Sequence, residues 1–94
     1  MRKQDLARAV AARTRTSEAQ ATAAVTAVFA VIQEAMADGD EVTISGFGSF
    51  RAVERAAREA RNPRTRDPIQ IGPRRSPAFR PGSALKRAVA LPDE

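Results

Sequence analysis

Eight arginines fall between residues 51 and 75, against Glu54, Glu59 and Asp67. This quarter of the chain therefore carries +5, the whole of the net charge; residues 1–50 sum to −1 and residues 76–94 to +1. Arginine outnumbers lysine fourteen to two. A guanidinium is a planar fork that matches phosphate and enters narrow minor grooves. A basic stretch on a near-neutral body is the footprint of a polyanion binder. A solvated face on a chain rich in Ala and Arg would look the same, so charge alone leaves both readings open.

Other chemistries are sparse. Cys and His are absent, which removes thiolate, imidazole and disulfide chemistry and any ordinary zinc or haem site. Without them no nucleophile–base pair is available short of unusual Ser/Lys chemistry. The one acidic cluster, Asp38, Asp40 and Glu41, could hold a divalent ion, but it reads as a solvated turn. The chain is expected to be no enzyme and to need no metal or cofactor. No apolar run approaches the ~18 residues of a membrane span, and no signal-peptide h-region opens the sequence. A cytoplasmic location is the expectation.

The elements that must position the arginines come from a thin apolar supply. Of the 43% nominally hydrophobic residues, twenty are Ala; Leu, Ile, Val and Phe number eighteen. Such a charged chain is either partly disordered or completes its core with a second subunit. All six prolines follow residue 62, which leaves the first 60 residues free to be regular. Leu6, Ala9, Val10 and Arg13 space a helix over 3–13. Thr14-Arg15-Thr16 breaks it, and Ser17 with Gln20 forms a capping box for a second helix. Ala21, Ala24, Val25, Val28, Phe29, Ile32 and Met36 form its apolar stripe, read as ordinary core. Gly39 follows as C-cap. Residues 41–45 alternate as a strand with Val42 and Ile44 inward. Gly46-Phe47-Gly48 turns the chain, and residues 49–53 return. Two such strands need the helices beneath them.

Residues 54–61 are helical by local preference, with Arg51, Arg55 and Arg58 on one face; the alternative is a long hairpin arm. Asn62 to Asp67 form a turn, and Pro68 and Pro73 confine Ile69-Gln70-Ile71 to an unpaired edge. Pro77-Ala78-Phe79 is a short strand. Ser83 caps a helix over 84–89, and residues 91–94 are a tail.

Three motifs in order make the chain recognisable. These are Gly46-Phe47-Gly48-Ser49-Phe50; Glu54-Arg55-Ala56-Ala57-Arg58 with Arg61-Asn62-Pro63-Arg64-Thr65; and Pro77-Ala78-Phe79-Arg80-Pro81-Gly82 with Leu85-Lys86. With Lys3 and Leu6-Ala9-Val10, they resemble the bacterial HU/integration host factor family of histone-like DNA-binding proteins over residues 2–90. The resemblance implies an α+β fold, an intertwined dimer with an N-terminal helical hairpin, a small antiparallel sheet with a long β-ribbon arm, and a short C-terminal helix. One domain would span 1–94: a helical dimerisation region over 1–38, a sheet over 41–80 with the arm at about 52–75, and a helix over 83–90. Phe29, Ile32, Val42, Ile44, Phe47, Phe50 and Phe79 would bury against the partner subunit. An arm would override the helical preference of 54–61.

The resemblance further implies double-stranded DNA as partner and a nucleoid location. Proteins of this kind, HU among them, kink DNA with apolar wedges in the minor groove; the wedge here would be Pro63. Arg55, Arg58, Arg61, Asn62, Arg64, Thr65 and Arg66 would line the arm; Lys3, Arg74, Arg75, Arg80 and Lys86 would lie on the body. Binding and bending would be largely independent of sequence, by a homodimer. Within the family, Arg74-Arg75 and Arg80-Pro81-Gly82 lean toward a site-specific, integration-host-factor-like subunit of a heterodimer. Glu54–Arg58 and Pro77-Ala78-Phe79 lean toward HU, the preferred branch. A basic helix over 51–66 entering RNA is a further alternative, weakened by the absence of Tyr and Trp. Two positions depart from the family pattern: Ala60 and Arg66 stand where it has Gly. At the tip this removes easy access to positive φ. Arg2 stands where Asn is usual.

Overall fold

Asp5 accepts a hydrogen bond from the Arg2 N–H at 2.9 Å, which starts the first helix, α1 (Lys3–Thr14). The computed structural model describes residues 1–92, so Asp93 and Glu94 of the expected tail lie outside the described residues. Arg15 ends α1 in the left-handed region, with φ 58° and ψ 42°. The second helix, α2 (Glu18–Ala37), opens on the capping box expected at Ser17. The Gln20 N–H donates to Ser17 Oγ at 3.1 Å, and the Ser17 N–H to Gln20 Oε1 at 3.2 Å. Arg8 reaches both Asp5 (3.7 Å) and Glu18 (3.3 Å). The chain divides into two compact units, Met1–Ala35 and Met36–Glu94.

The α2 stripe is not the core of a single chain. Among the described residues the buried apolar side chains are Ala7, Ala11, Ala21 and Val25, while Val28 and Phe29 stay 54% and 47% exposed. One chain has too few large side chains to cover them. By length and composition alone α2 could cross a membrane, being 20 residues long with a mean hydropathy of 1.2 over an 18-residue window, but it is not a continuous apolar run. Ala supplies much of that hydropathy, and Thr22, Thr26, Gln33 and Glu34 interrupt it.

In the second unit β1 (Val42–Ile44), β2 (Gly48–Arg55) and β5 (Arg74–Pro81) form an antiparallel sheet in the order β1-β2-β5. β3 (Arg58–Arg61) and β4 (Pro68–Ile71) form a separate two-stranded ribbon. Residues 54–61 are thus strand, not helix, apart from a break at Ala56-Ala57. The helical preference of eight residues is weak, and so short a helix is below the length that stands alone. Against it, β2 pairs with β5 along its whole length, from Gly48↔Pro81 to Arg55↔Arg74. β4 is not unpaired either: it pairs with β3 from Arg58↔Ile71 to Arg61↔Pro68. Pro68 is tolerated because it opens its strand, and Pro73 lies beyond the end of β4.

The helix α3 (Ser83–Val89) is capped differently from the expectation at Ser83. Gly82 is the N-cap and makes no side-chain bond. The Gly46 carbonyl instead accepts from the Ala84 and Leu85 N–H groups, both at 3.1 Å, and Gly82 N–H donates to the Phe47 carbonyl at 2.7 Å. Backbone presses so close here that a Cβ on Gly82 would stand 2.6 Å from the Gly46 oxygen. Phe79 lies 5.7 Å from Phe47 and 4.8 Å from Phe50, centroid to centroid. Phe47 and Phe79 are nevertheless 45% and 42% exposed, so this aromatic cluster is open on one side.

Candidate nucleic-acid interface

Side chains alternate across a strand, so the β2–β5 register sorts the sheet into two faces. Phe50, Ala52 and Glu54 share one face with Phe79, Pro77 and Arg75, directly opposite them. Ser49, Arg51, Val53 and Arg55 share the other with Arg80, Ala78, Ser76 and Arg74. The second face is basic and polar; Thr43 joins it, 3.3 Å from the Ser49 hydroxyl. The first face is the aromatic one.

This sorting brings Arg55, Arg74 and Arg80 together as expected and adds Arg51, which the site reading of the sequence passed over. Its signal was available: Arg51 follows Phe50 on a strand, so it points away from the core. Arg55 and Arg74 face each other directly, a like-charge pair that destabilises a sheet unless an anion offsets it. Among the described residues ion pairs form only at Arg8, so no carboxylate neutralises these arginines.

Arg75 does not join the basic face. It lies with Phe79 and Pro77, and its Nη2 donates to the Ala37 carbonyl at 2.8 Å and to that of Met36 at 3.4 Å.

The ribbon extends the basic surface. Arg58 and Arg61 are exposed on β3, and Arg58 shares a face with Ala60, Ile69 and Ile71. At the tip the Asn62 N–H donates to the Asp67 carbonyl at 2.9 Å, and the Arg66 N–H to the Asn62 carbonyl at 2.7 Å. Three side chains build the turn. Asn62 Oδ1 accepts from the Arg64 N–H at 2.8 Å, Thr65 Oγ1 from the Asp67 N–H at 3.3 Å, and Arg61 donates to the Arg66 carbonyl at 3.1 Å. Asn62, Thr65 and Arg61 therefore shape the tip, while Pro63, Arg64 and Arg66 stand exposed on it. Pro63 has no N–H to satisfy, which suits an apolar group presented at an exposed apex. Arg66 takes the left-handed conformation, φ 64°, so the turn keeps the geometry of a tip glycine without the glycine. Lys3 is exposed on α1 and Lys86 on α3. Asp38, Asp40 and Glu41 do not converge: no metal-binding cluster forms among the described residues.

A family described as bacterial DNA-binding protein matches residues 1–90. The chain is 47% identical over 90 residues to the DNA-binding protein HU 1 of Bacillus subtilis, covering 96% of this chain and 98% of that one. It is 49% identical over 89 residues to the DNA-binding protein HU of Geobacillus stearothermophilus, covering 95% and 99%. Its fold is similar to that in an HU–DNA cocrystal structure from Anabaena, with a TM-score of 0.88, 44% identity, and 98% and 100% of the two chains covered. An HU variant from Thermotoga maritima superposes with a TM-score of 0.70 at 28% identity, covering 96% and 100%.

Proposed function

The chain belongs to the bacterial DNA-binding protein family, as an HU-type member, and from that premise we propose how its geometry handles DNA. It is an architectural protein that binds double-stranded DNA with little regard to sequence, as a homodimer in the cytoplasmic nucleoid, with no catalytic step. The carrying observation is the set of exposed arginines on the sheet (Arg51, Arg55, Arg74 and Arg80), the ribbon (Arg58) and the tip (Arg64 and Arg66), none with a carboxylate partner among the described residues. Phosphate supplies the missing counter-charge. Lys3 and Lys86 add to the same attraction from the helices.

The second subunit follows from packing. Val28, Phe29, Val31, Ile44, Phe47 and Phe79 each remain more than 40% exposed in one chain. Patches of that kind mark interfaces, and burying each large side chain is worth about 1.5–3 kcal/mol. A second copy, rather than lipid, covers α2, including Ile32, and the open aromatic side of the sheet, including Val42 and Phe50. The RNA reading requires a helix over 51–66; the segment is instead strand at 51–55 and 58–61 and a turn beyond. The site-specific reading drew on Arg75, whose guanidinium is bonded to α2.

Each +5 copy contributes phosphate contacts, so log K falls with log salt by about 0.9 per phosphate neutralised. Pro63 enters the minor groove between base steps. Unstacking costs a few kcal/mol per step and is offset by the surface that a bent duplex reaches; HU is itself one of the type examples of this behaviour. The test is resonance energy transfer across an end-labelled random duplex. The parent protein is expected to shorten the end-to-end distance, and Pro63→Ala to lose most of that effect while keeping its salt dependence. Tight binding with no change in distance would refute the wedge. A large preference for one defined duplex over random sequence would refute the sequence-tolerant reading.

A further inference from the structure

Arg75 stands apart from the other arginines, and its surroundings say why. The last carbonyls of a helix have no intrahelical partner and carry the negative end of its dipole. The last turn of α2 holds no basic residue, and Asp38, Asp40 and Glu41 follow it. The Met36 carbonyl receives the Gly39 N–H at 3.0 Å. The Ala37 carbonyl receives Arg75 at 2.8 Å. One cation from thirty-eight residues further along the chain thus supplies both the donor and the positive charge that the helix end lacks.

Arg75 also occupies a particular place on β5. It faces Glu54, one register step before Arg55↔Arg74, where the sheet ends. Beyond that step the pairing stops at Ala56-Ala57 and Gly72-Pro73 and resumes as the ribbon. We propose that Arg75 is a positioning residue of the DNA-binding arm and not a DNA contact: its guanidinium closes the C-terminal end of α2 and holds the root of the arm to it. A free cation at this position would instead join the phosphate contacts, as Arg74 does on the opposite face. The proposal rests on the DNA-binding reading for its binding measurement but not for its stability measurement.

The experiment compares Arg75→Gln, Arg75→Lys and Arg74→Gln with the parent. Thermal unfolding is followed by circular dichroism, and binding to a labelled random duplex by anisotropy between 50 and 200 mM salt. Removing one phosphate-neutralising cation from each copy lowers the slope of log K against log salt by about 1.8 per dimer. Arg75→Gln is expected to lower Tm by about 4–8 °C with the slope unchanged, and Arg75→Lys to recover at least half of the loss. Arg74→Gln is expected to lower the slope by that amount with Tm held or raised, since it also removes the like-charge pair with Arg55. A lowered slope for Arg75→Gln, or an unchanged Tm, overturns the proposal. If the parent fails to bind at 50 mM salt, the DNA-binding reading falls, and the Tm comparison alone decides whether Arg75 closes the helix.

Discussion

Arg66→Gly separates two consequences of one residue. Arg66 sits at φ 64°, a conformation that costs a residue with a Cβ roughly 1–2 kcal/mol. Glycine removes that strain but loses more freedom on folding, about 0.5–1 kcal/mol. The net gain at the tip is about 0.5–1 kcal/mol, or roughly a two- to fivefold slower opening of the turn. Hydrogen exchange of the Asn62 amide, bonded to the Asp67 carbonyl at 2.9 Å, reads that opening. The same substitution deletes one cation from each copy. If each Arg66 neutralises a phosphate, the salt slope of the dimer falls by about 1.8, and the affinity ratio of parent to variant changes about tenfold between 50 and 200 mM. The expected result is therefore a tighter turn with weaker salt dependence. An unchanged slope would refute the assignment of Arg66 to phosphate. Faster exchange at Asn62 would refute the argument that the residue is strained.

Gly82→Ala is expected to cost several kcal/mol, because its Cβ meets the Gly46 backbone at 2.6–2.7 Å and threatens three hydrogen bonds worth about 0.5–1.5 kcal/mol each. Gly72→Ala, with nothing within 4 Å, is expected to be neutral, and equal Tm values for the two variants would contradict the close-approach argument. Ser17→Ala removes the acceptor of the Gln20 N–H and is expected to cost about 1 kcal/mol, read by urea unfolding. Phe29→Glu places a charge on the exposed face of α2 and is expected to yield monomers or unfolded chain in analytical ultracentrifugation; a stable dimer would show that this face lies outside the interface.

Much of the site was legible without coordinates. The charge imbalance of residues 51–75 marked the proposed polyanion surface, and the motifs around Phe47, Pro63 and Phe79 placed the chain in its family. The capping box at Ser17 was readable because both of its bonds join residues three apart. Local signals misled at 54–61, where the propensity of the alanines and arginines points to helix. The strands that override it lie outside any window over 54–61: Glu54 and Arg55 pair about twenty residues on, with Arg75 and Arg74, and 58–61 pair with 68–71. The roles of the arginines were hidden for the same reason. Arg74 and Arg75 are adjacent and chemically identical, yet strand alternation sends one to the basic face and the other to the carbonyls of α2. Ser83 carried the right side chain for a cap, but the chain fold brings the Gly46 carbonyl there first. Composition thus narrowed what the protein can bind, and the order of motifs determined its family. Only tertiary structure decided which cations are free to bind, because that depends on which backbone groups the pairing of distant strands leaves for them to meet.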